Sequence, residues 1–449
     1  MTTEQVARFI TNTSLDGVPP IVVAKAKIAV RDTIGVTIAG YRDEATAAVA
    51  RMALGMGGPE QSTLLGLGIK VPSNLAALVN SFMASALDWD DGGTGPRGLL
   101  GHPGCVVVPS ALAVAESEGC TGRELLEAIL VGYEVVLITA WVIRETETPI
   151  PSWLRIGTGV SGAYGAAAAA AKLLKLSTAE TRSTLGIAEA HCPLPPVQTS
   201  LDGTAMTKEA AGWGAMSGVT AALLAHAGLR GPRTLFDLPD YPSEPLQRLG
   251  REWGILGLYY KPYSCCRKSH SVLDGLFELL KEHHLKPGDI KKVTIITPHL
   301  QFGPPNYRPA DTYEAQFSIP FVIGAAIVDG RVGPEQVATS RVSDRAILEM
   351  ADKVVLAADP EVDNLVRPTR GGKVEIETVD GRTLSTIKMR PRGHPDEPLT
   401  EEELLDKFKE ATQGVLGSES EALASCIETL EELESVNELI EKISPLPKR

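Results

Sequence analysis

Three stretches of this 449-residue chain gather side chains that can move protons or hold anions. The first runs Asp88-Trp-Asp-Asp-Gly-Gly-Thr-Gly-Pro-Arg-Gly-Leu-Leu-Gly-His102-Pro-Gly. Three carboxylates end a helical pattern, and a glycine-rich loop then leads to a histidine. Glycines such as Gly92 let backbone N–H groups approach a ligand. A carboxylate beside a histidine can fix its tautomer or raise its pKa. A flexible surface loop with helix-end acids is the equal alternative. The second stretch is Thr204-Ala-Met-Thr-Lys208, which opens a long apolar helix. A cation at a helix start opposes the macrodipole, and that lowers its pKa toward the range of a base. An ordinary solvated lysine beside Glu209 is the competing reading. The third is Lys261-Pro-Tyr-Ser-Cys-Cys-Arg-Lys-Ser-His270, with three cations, two thiols and a histidine. Cys265 and Cys266 are adjacent and lack zinc-site spacing, so no metal site is expected. A thiolate–histidine nucleophile is conceivable there. A carboxylate-binding cluster suits the charges better, with a solvated basic turn as the bland alternative.

Several signatures are absent: there is no Walker loop, no Rossmann glycine fingerprint, no Gly-x-Ser-x-Gly and no His-Glu-x-x-His. The net charge of −13 argues against nucleic acid or an anionic membrane as partner. An acidic protein that binds an anion needs a local cationic pocket, which makes the clustered lysines and arginines more interesting. The six cysteines show no disulfide framework, and the first ten residues lack a basic segment leading into an apolar one. No membrane span is read, and a cytoplasmic protein with reduced thiols is expected.

The elements that must position these stretches are mostly helices. Apolar spacing predicts helices over 20–40, 74–87, 106–115, 122–143, 157–174 and 207–227. The alanine run 165–171 has small side chains on every face and reads as a buried helix. Beyond residue 267 the pattern mixes a helix over 272–283, a strand over 291–297, an apolar helix over 316–328 and a short helix over 344–352. A hairpin is predicted with strands 374–379 and 383–389 around Asp380-Gly381. Helices return over 400–412 and 419–443. The length is too great for one ordinary core. We therefore expect a mainly α protein with an α+β lid: a discontinuous helical domain, 1–266 with 393–449, and an inserted α+β domain, 267–392.

Taken in order, the segments resemble the MmgE/PrpD family. Leu-Asp-Trp-Asp-Asp with Gly-His-Pro-Gly and Val-Pro-Ser-Ala-Leu-Ala is similar to one family block. Lys261 to His270, Tyr313-Glu-Ala-Gln-Phe-Ser-Ile-Pro-Phe321 and Arg392-Gly-His-Pro-Asp-Glu-Pro-Leu-Thr400 resemble three others. The family includes 2-methylcitrate dehydratase, iminodisuccinate epimerase and cis-aconitate decarboxylase. The resemblance implies a helical domain with an α+β lid, a pocket between them, usually a homodimer, and no metal or organic cofactor. It places site residues at Asp88, His102, Lys208, Lys261 and Cys266, with His270 nearby. Three positions depart from the family: Ile156 near the place of a His-Pro pair, Ala211 in place of a histidine after Lys208, and Cys266 with Phe321 where a decarboxylase has histidine and tyrosine.

The chemistry this implies is proton transfer beside a carboxylate of a small di- or tricarboxylic acid. Lys261 and Arg267 are expected to anchor carboxylates, with Gly92 in the substrate-binding loop. Lys208 and His102 are the acid/base pair, Asp88 orients His102, and Cys266 and His270 complete the catalytic set. A dehydratase-type lyase is the first expectation and an epimerase the second. A decarboxylase and a non-catalytic carboxylate-binding relative are further alternatives.

Overall fold

The computed structural model describes residues 2–95, 98–144, 157–193, 210–239, 244–298, 305–366 and 370–444. The expected Lys208 and Ile156 lie outside the described residues. The described helices are α1 (Thr3–Asn12), α2 (Pro20–Gly40), α3 (Glu44–Met56), α4 (Ser73–Ser85), α5 (Gly104–Glu118), α6 (Gly122–Arg144), α7 (Thr158–Leu173), α8 (Thr178–Ala190) and α9 (Ala211–His226). They continue with α10 (Glu244–Arg248), α11 (His270–Glu282), α12 (Thr312–Phe317), α13 (Ile319–Asp329), α14 (Arg345–Ala351), α15 (Pro360–Val366), α16 (Glu401–Leu416), α17 (Glu419–Glu428) and α18 (Asn437–Ile443). The strands are β1 (Ser62–Leu64), β2 (Ile69–Val71), β3 (Gly92–Gly95), β4 (Gly98–Leu99), β5 (Leu258–Tyr259), β6 (Ile290–Ile296), β7 (Val354–Ala357), β8 (Gly372–Thr378) and β9 (Thr383–Lys388). The fold is mainly α with an α+β part, as expected.

The larger core is helical. It draws apolar side chains from 15–260 and again from 399–443, so the chain's end returns to its beginning. Every residue from Gly165 to Ala171 in α7 is buried. Its small side chains permit backbone approach: a Cβ on Gly218 of α9 would meet the Ala163 carbonyl and the Ala166 methyl. Helix α6 is long and apolar enough to cross a membrane, but 89% of its apolar window is buried inside the protein. It is a core helix here. A second core contains Tyr263 and Cys265 together with residues of α11, α13 and the sheet β7-β6-β8-β9. The Asp380-Gly381 hairpin forms as predicted, with Ile376 opposite Leu384.

Three elements differ from expectation. The apolar helix over 316–328 is two helices, because the Ser318 hydroxyl caps α13 at Phe321 N–H and Pro320 sits in its first turn. The helix over 419–443 is broken into α17, a 3₁₀ turn and α18. The glycine-rich loop after Asp91 is a strand: Gly92 pairs with Tyr259 and Gly93 with Leu258. A Cβ on Gly92 would strike the Tyr259 phenol, so glycine is required for packing.

Candidate active site

Asp88 follows the end of α4 with a positive φ of 47°, a conformation that costs a non-glycine residue roughly 1–3 kcal/mol. That turn sends the next carboxylates inward, and Asp88, Asp90 and Asp91 are all buried. The Lys261 ammonium donates to Asp88 Oδ1 at 2.7 Å and to the Asp88 carbonyl at 2.9 Å, and stands 3.8 Å from Asp90 Oδ1. Lys261 is itself fully buried. The expected substrate anchor is therefore the buried counter-ion of the acidic turn.

His102 is brought to the same turn by Pro103 and the start of α5. Its Nδ1 lies 2.7 Å from the Asp91 carbonyl oxygen and 3.2 Å from Asp90 Oδ2. The Asp91 carbonyl can only accept, which assigns the proton to Nδ1 and leaves the lone pair of the neutral tautomer on Nε2. The carboxylate at the His102 ring is thus that of Asp90, while the expected orienter, Asp88, is engaged by Lys261. Asp91 holds the scaffold beneath. Its carboxylate accepts the Gly104 N–H at 3.0 Å and the Tyr133 hydroxyl at 2.8 Å. Burial, with Asp32 nearby, pushes the Asp91 carboxyl up to about 7.

The 261–270 segment turns its reactive groups into the protein. The Arg267 guanidinium donates to the Arg392 carbonyl at 2.8 Å and lies 4.4 Å from the Tyr259 ring centroid. Burial lowers its pKa to about 10. His270 lies with Nε2 3.0 Å from the Cys265 carbonyl and its ring edge-on to Tyr263. Burial, then the nearby Arg267 and Lys261 charges, lower its pKa well below the ordinary value, so it is neutral. Cys266 is partly exposed, and burial pushes its thiol up, which opposes a thiolate nucleophile. Phe321 is fully buried in the second core, so its ring packs there and cannot face a substrate.

Sequence reasoning missed the other holders of the turn. Carbonyls just past a helix end lack helical partners. Here Ala86 O accepts Gln316 Nε2 at 3.0 Å, Leu87 O accepts Ser264 Oγ at 2.7 Å, and Trp89 O accepts Lys407 Nζ at 2.8 Å. One signal was available for Lys407: it shares the apolar stripe of Leu404, Phe408 and Ala411 on α16. Among the described residues no group of three or more His, Cys, Asp or Glu side chains is arranged to hold a metal ion. A cavity of about 830 Å³ beside Leu87, walled by the end of α2, α16 and residues 312–340, carries none of the candidate residues.

The arrangement offers an oriented imidazole backed by a carboxylate, beside a charge-balanced turn. Residues 4–240 match the MmgE/PrpD N-terminal domain, and residues 263–432 match the MmgE/PrpD C-terminal domain. The human cis-aconitate decarboxylase is 27% identical, over 97% of this chain and 93% of that protein. The cis-aconitate decarboxylase-like protein oryM of Aspergillus oryzae is 24% identical over 98% of this chain and 97% of its own length. The cis-aconitate decarboxylase of Aspergillus terreus is 23% identical, over 98% and 96%.

Proposed function

This chain belongs to the MmgE/PrpD family, and from that premise we propose that it is a lyase. It acts on a small di- or tricarboxylic acid by moving a proton at the carbon beside a carboxylate. The observation that carries the reading is the His102 ring, with Nδ1 hydrogen-bonded to the Asp91 carbonyl, the Asp90 carboxylate 3.2 Å away and the side chain only 12% exposed. Nε2 takes the carbon-bound proton, and the Asp90 carboxylate stabilises the imidazolium that forms. In a dehydration, the C–H electron pair becomes the new double bond as the C–O bond breaks. Lys208 is the candidate acid that protonates the departing hydroxyl, so that water leaves. The buried Lys261–Asp88 pair and Arg267 set the field in which the negative charge develops.

Decarboxylation is the second reading, favoured by the names of the three relatives. There the C–C electrons are left on carbon as CO₂ departs, and the same groups deliver a proton instead of removing one. Cys266, where a decarboxylase has histidine, is what places dehydration first. The reading extends to a homodimer: Trp213 and Leu224 on α9 are exposed large apolar side chains, and sedimentation of the purified chain tests this.

The test is proton NMR in D₂O with 2-methylcitrate, citrate, malate-type hydroxy acids, iminodisuccinate and cis-aconitate. A new vinyl proton with loss of water supports dehydration. Loss of CO₂ selects decarboxylation. Deuterium entry with inverted configuration would move the reaction to epimerisation, and no change in any acid would refute the lyase.

A further inference from the structure

Lys407 stands 318 residues beyond Trp89, yet its ammonium reaches the Trp89 carbonyl at 2.8 Å and Asp32 Oδ1 at 2.6 Å. It also lies 5.2 Å from the Trp89 ring centroid. The Lys407 side chain is only 6% exposed and that of Asp32 3%. Burying an ammonium is costly unless it is paired and hydrogen-bonded. A pair serving only to join α2 to α16 would need the carboxylate alone. The bond to Trp89 is additional, and its position is informative. The Trp89 residue separates Asp88, which Lys261 holds, from Asp90, which faces His102. Rotation of its peptide plane would carry Asp90 away from the imidazole. The strained φ at Asp88 means that the turn persists only where its surroundings hold it. Two ammonium groups do so, each on one of two successive carbonyls, Lys261 on Asp88 and Lys407 on Trp89.

We propose that Lys407 is a positioning residue for the reaction: the chain's C-terminal return, through α16, fixes the Trp89 carbonyl and thereby the Asp90–His102 pair. The assignment rests on the reading of His102 as the proton-transfer group. Lys407 touches no substrate in this scheme and acts through the turn.

The test separates positioning from packing. Lys407→Met removes both bonds and leaves Asp32 buried without its cation, so its unfolding midpoint falls. Adding Asp32→Asn removes the stranded charge, and the midpoint recovers toward wild type. The Trp89 carbonyl still lacks its donor. The double variant therefore keeps KM within about twofold while kcat stays down by up to about 10²-fold, the scale expected for a displacement of about 1 Å. Long-range ¹H–¹⁵N spectra of the histidine rings, with His102 assigned by His102→Gln, supply a readout independent of any substrate. Wild type shows a single Nδ1–H tautomer for His102, and the double variant shows a mixture. Lys407→Gln with Asp32→Asn, a neutral amide pair, takes its place if the first double variant does not fold. A double variant with a recovered midpoint, wild-type kcat and an unchanged His102 spectrum overturns the proposal. Inactivity of the wild type toward every acid in the panel would sink the lyase reading, while the NMR arm would still decide the role of Lys407.

Discussion

The segments 88–104 and 261–270 are equally dense in reactive side chains, yet the fold uses them in opposite ways. In the second, Lys261, Cys265 and His270 are fully buried and Arg267 nearly so. Lys261 is held by Asp88, Arg267 by the Arg392 carbonyl and His270 Nε2 by the Cys265 carbonyl, while His270 Nδ1 is buried with no hydrogen bond among the described residues. In the first, His102 commits Nδ1 to the Asp91 carbonyl, and its Nε2 makes no hydrogen bond among the described residues. The lesson is that a cluster of cations and thiols in sequence is as readily a clamp as a reagent. What marks a reagent is an oriented group that is still reachable: the His102 side chain keeps 12% of its surface exposed, while His270 is fully buried.

Four perturbations sharpen this contrast. The largest effect belongs to Lys261→Met. It removes the cation paired with the buried Asp88 carboxylate, and breaking such a pair costs about 3–5 kcal/mol. Urea unfolding should show that loss, and adding Asp88→Asn should restore most of it. A Lys261→Met variant as stable as wild type would break the clamp reading of the segment. Gly104→Ala comes next. Its Cβ would lie 2.6 Å from both Thr33 Oγ1 and the Tyr133 hydroxyl and 2.7 Å from Asp91 Oδ1. Overpacking of this kind costs about 1–3 kcal/mol, and rate should fall with stability because the Asp91 carbonyl holds His102.

The third concerns pH. His270 has a lowered pKa in the fold, so below the ordinary histidine value of about 6.5 the unfolded chain binds a proton that the folded chain refuses. Its contribution to stability is present above that pH and is lost as pH falls. Thermal unfolding between pH 8 and 5.5 should therefore decline more steeply for wild type than for His270→Asn, and the His270 ring signals should stay constant over that range. The smallest effect is Cys266→Ser. With a thiol pushed up by burial, the residue should give less than about a tenfold loss in kcat/KM and slow alkylation by iodoacetamide. A rapid, activity-abolishing alkylation would restore the thiolate reading.

Local patterns were legible before the structure: the amphipathic helices, the buried alanine run of α7 and the Asp380-Gly381 hairpin all follow from spacing and turn chemistry. The pairing inside the site was not. Which of three neighbouring aspartates meets His102 depends on the positive φ at Asp88, which no residue type announces. Gln316 reaches Ala86 and Lys407 reaches Trp89 across more than two hundred residues, so neither bond leaves a local trace. The glycines after Asp91 resembled a ligand-cradling loop, yet Gly92 makes room for Tyr259, a long-range requirement.

The most direct test of the central claim is the rate of solvent-deuterium exchange at the carbon beside the carboxylate, for wild type and His102→Gln, on whichever acid of the panel the wild type transforms. A positioned acid–base group contributes roughly 10² to 10⁴ in rate, so the variant should fall by at least about a hundredfold with its unfolding midpoint unchanged. Exchange at the wild-type rate in a folded His102→Gln protein would contradict the account.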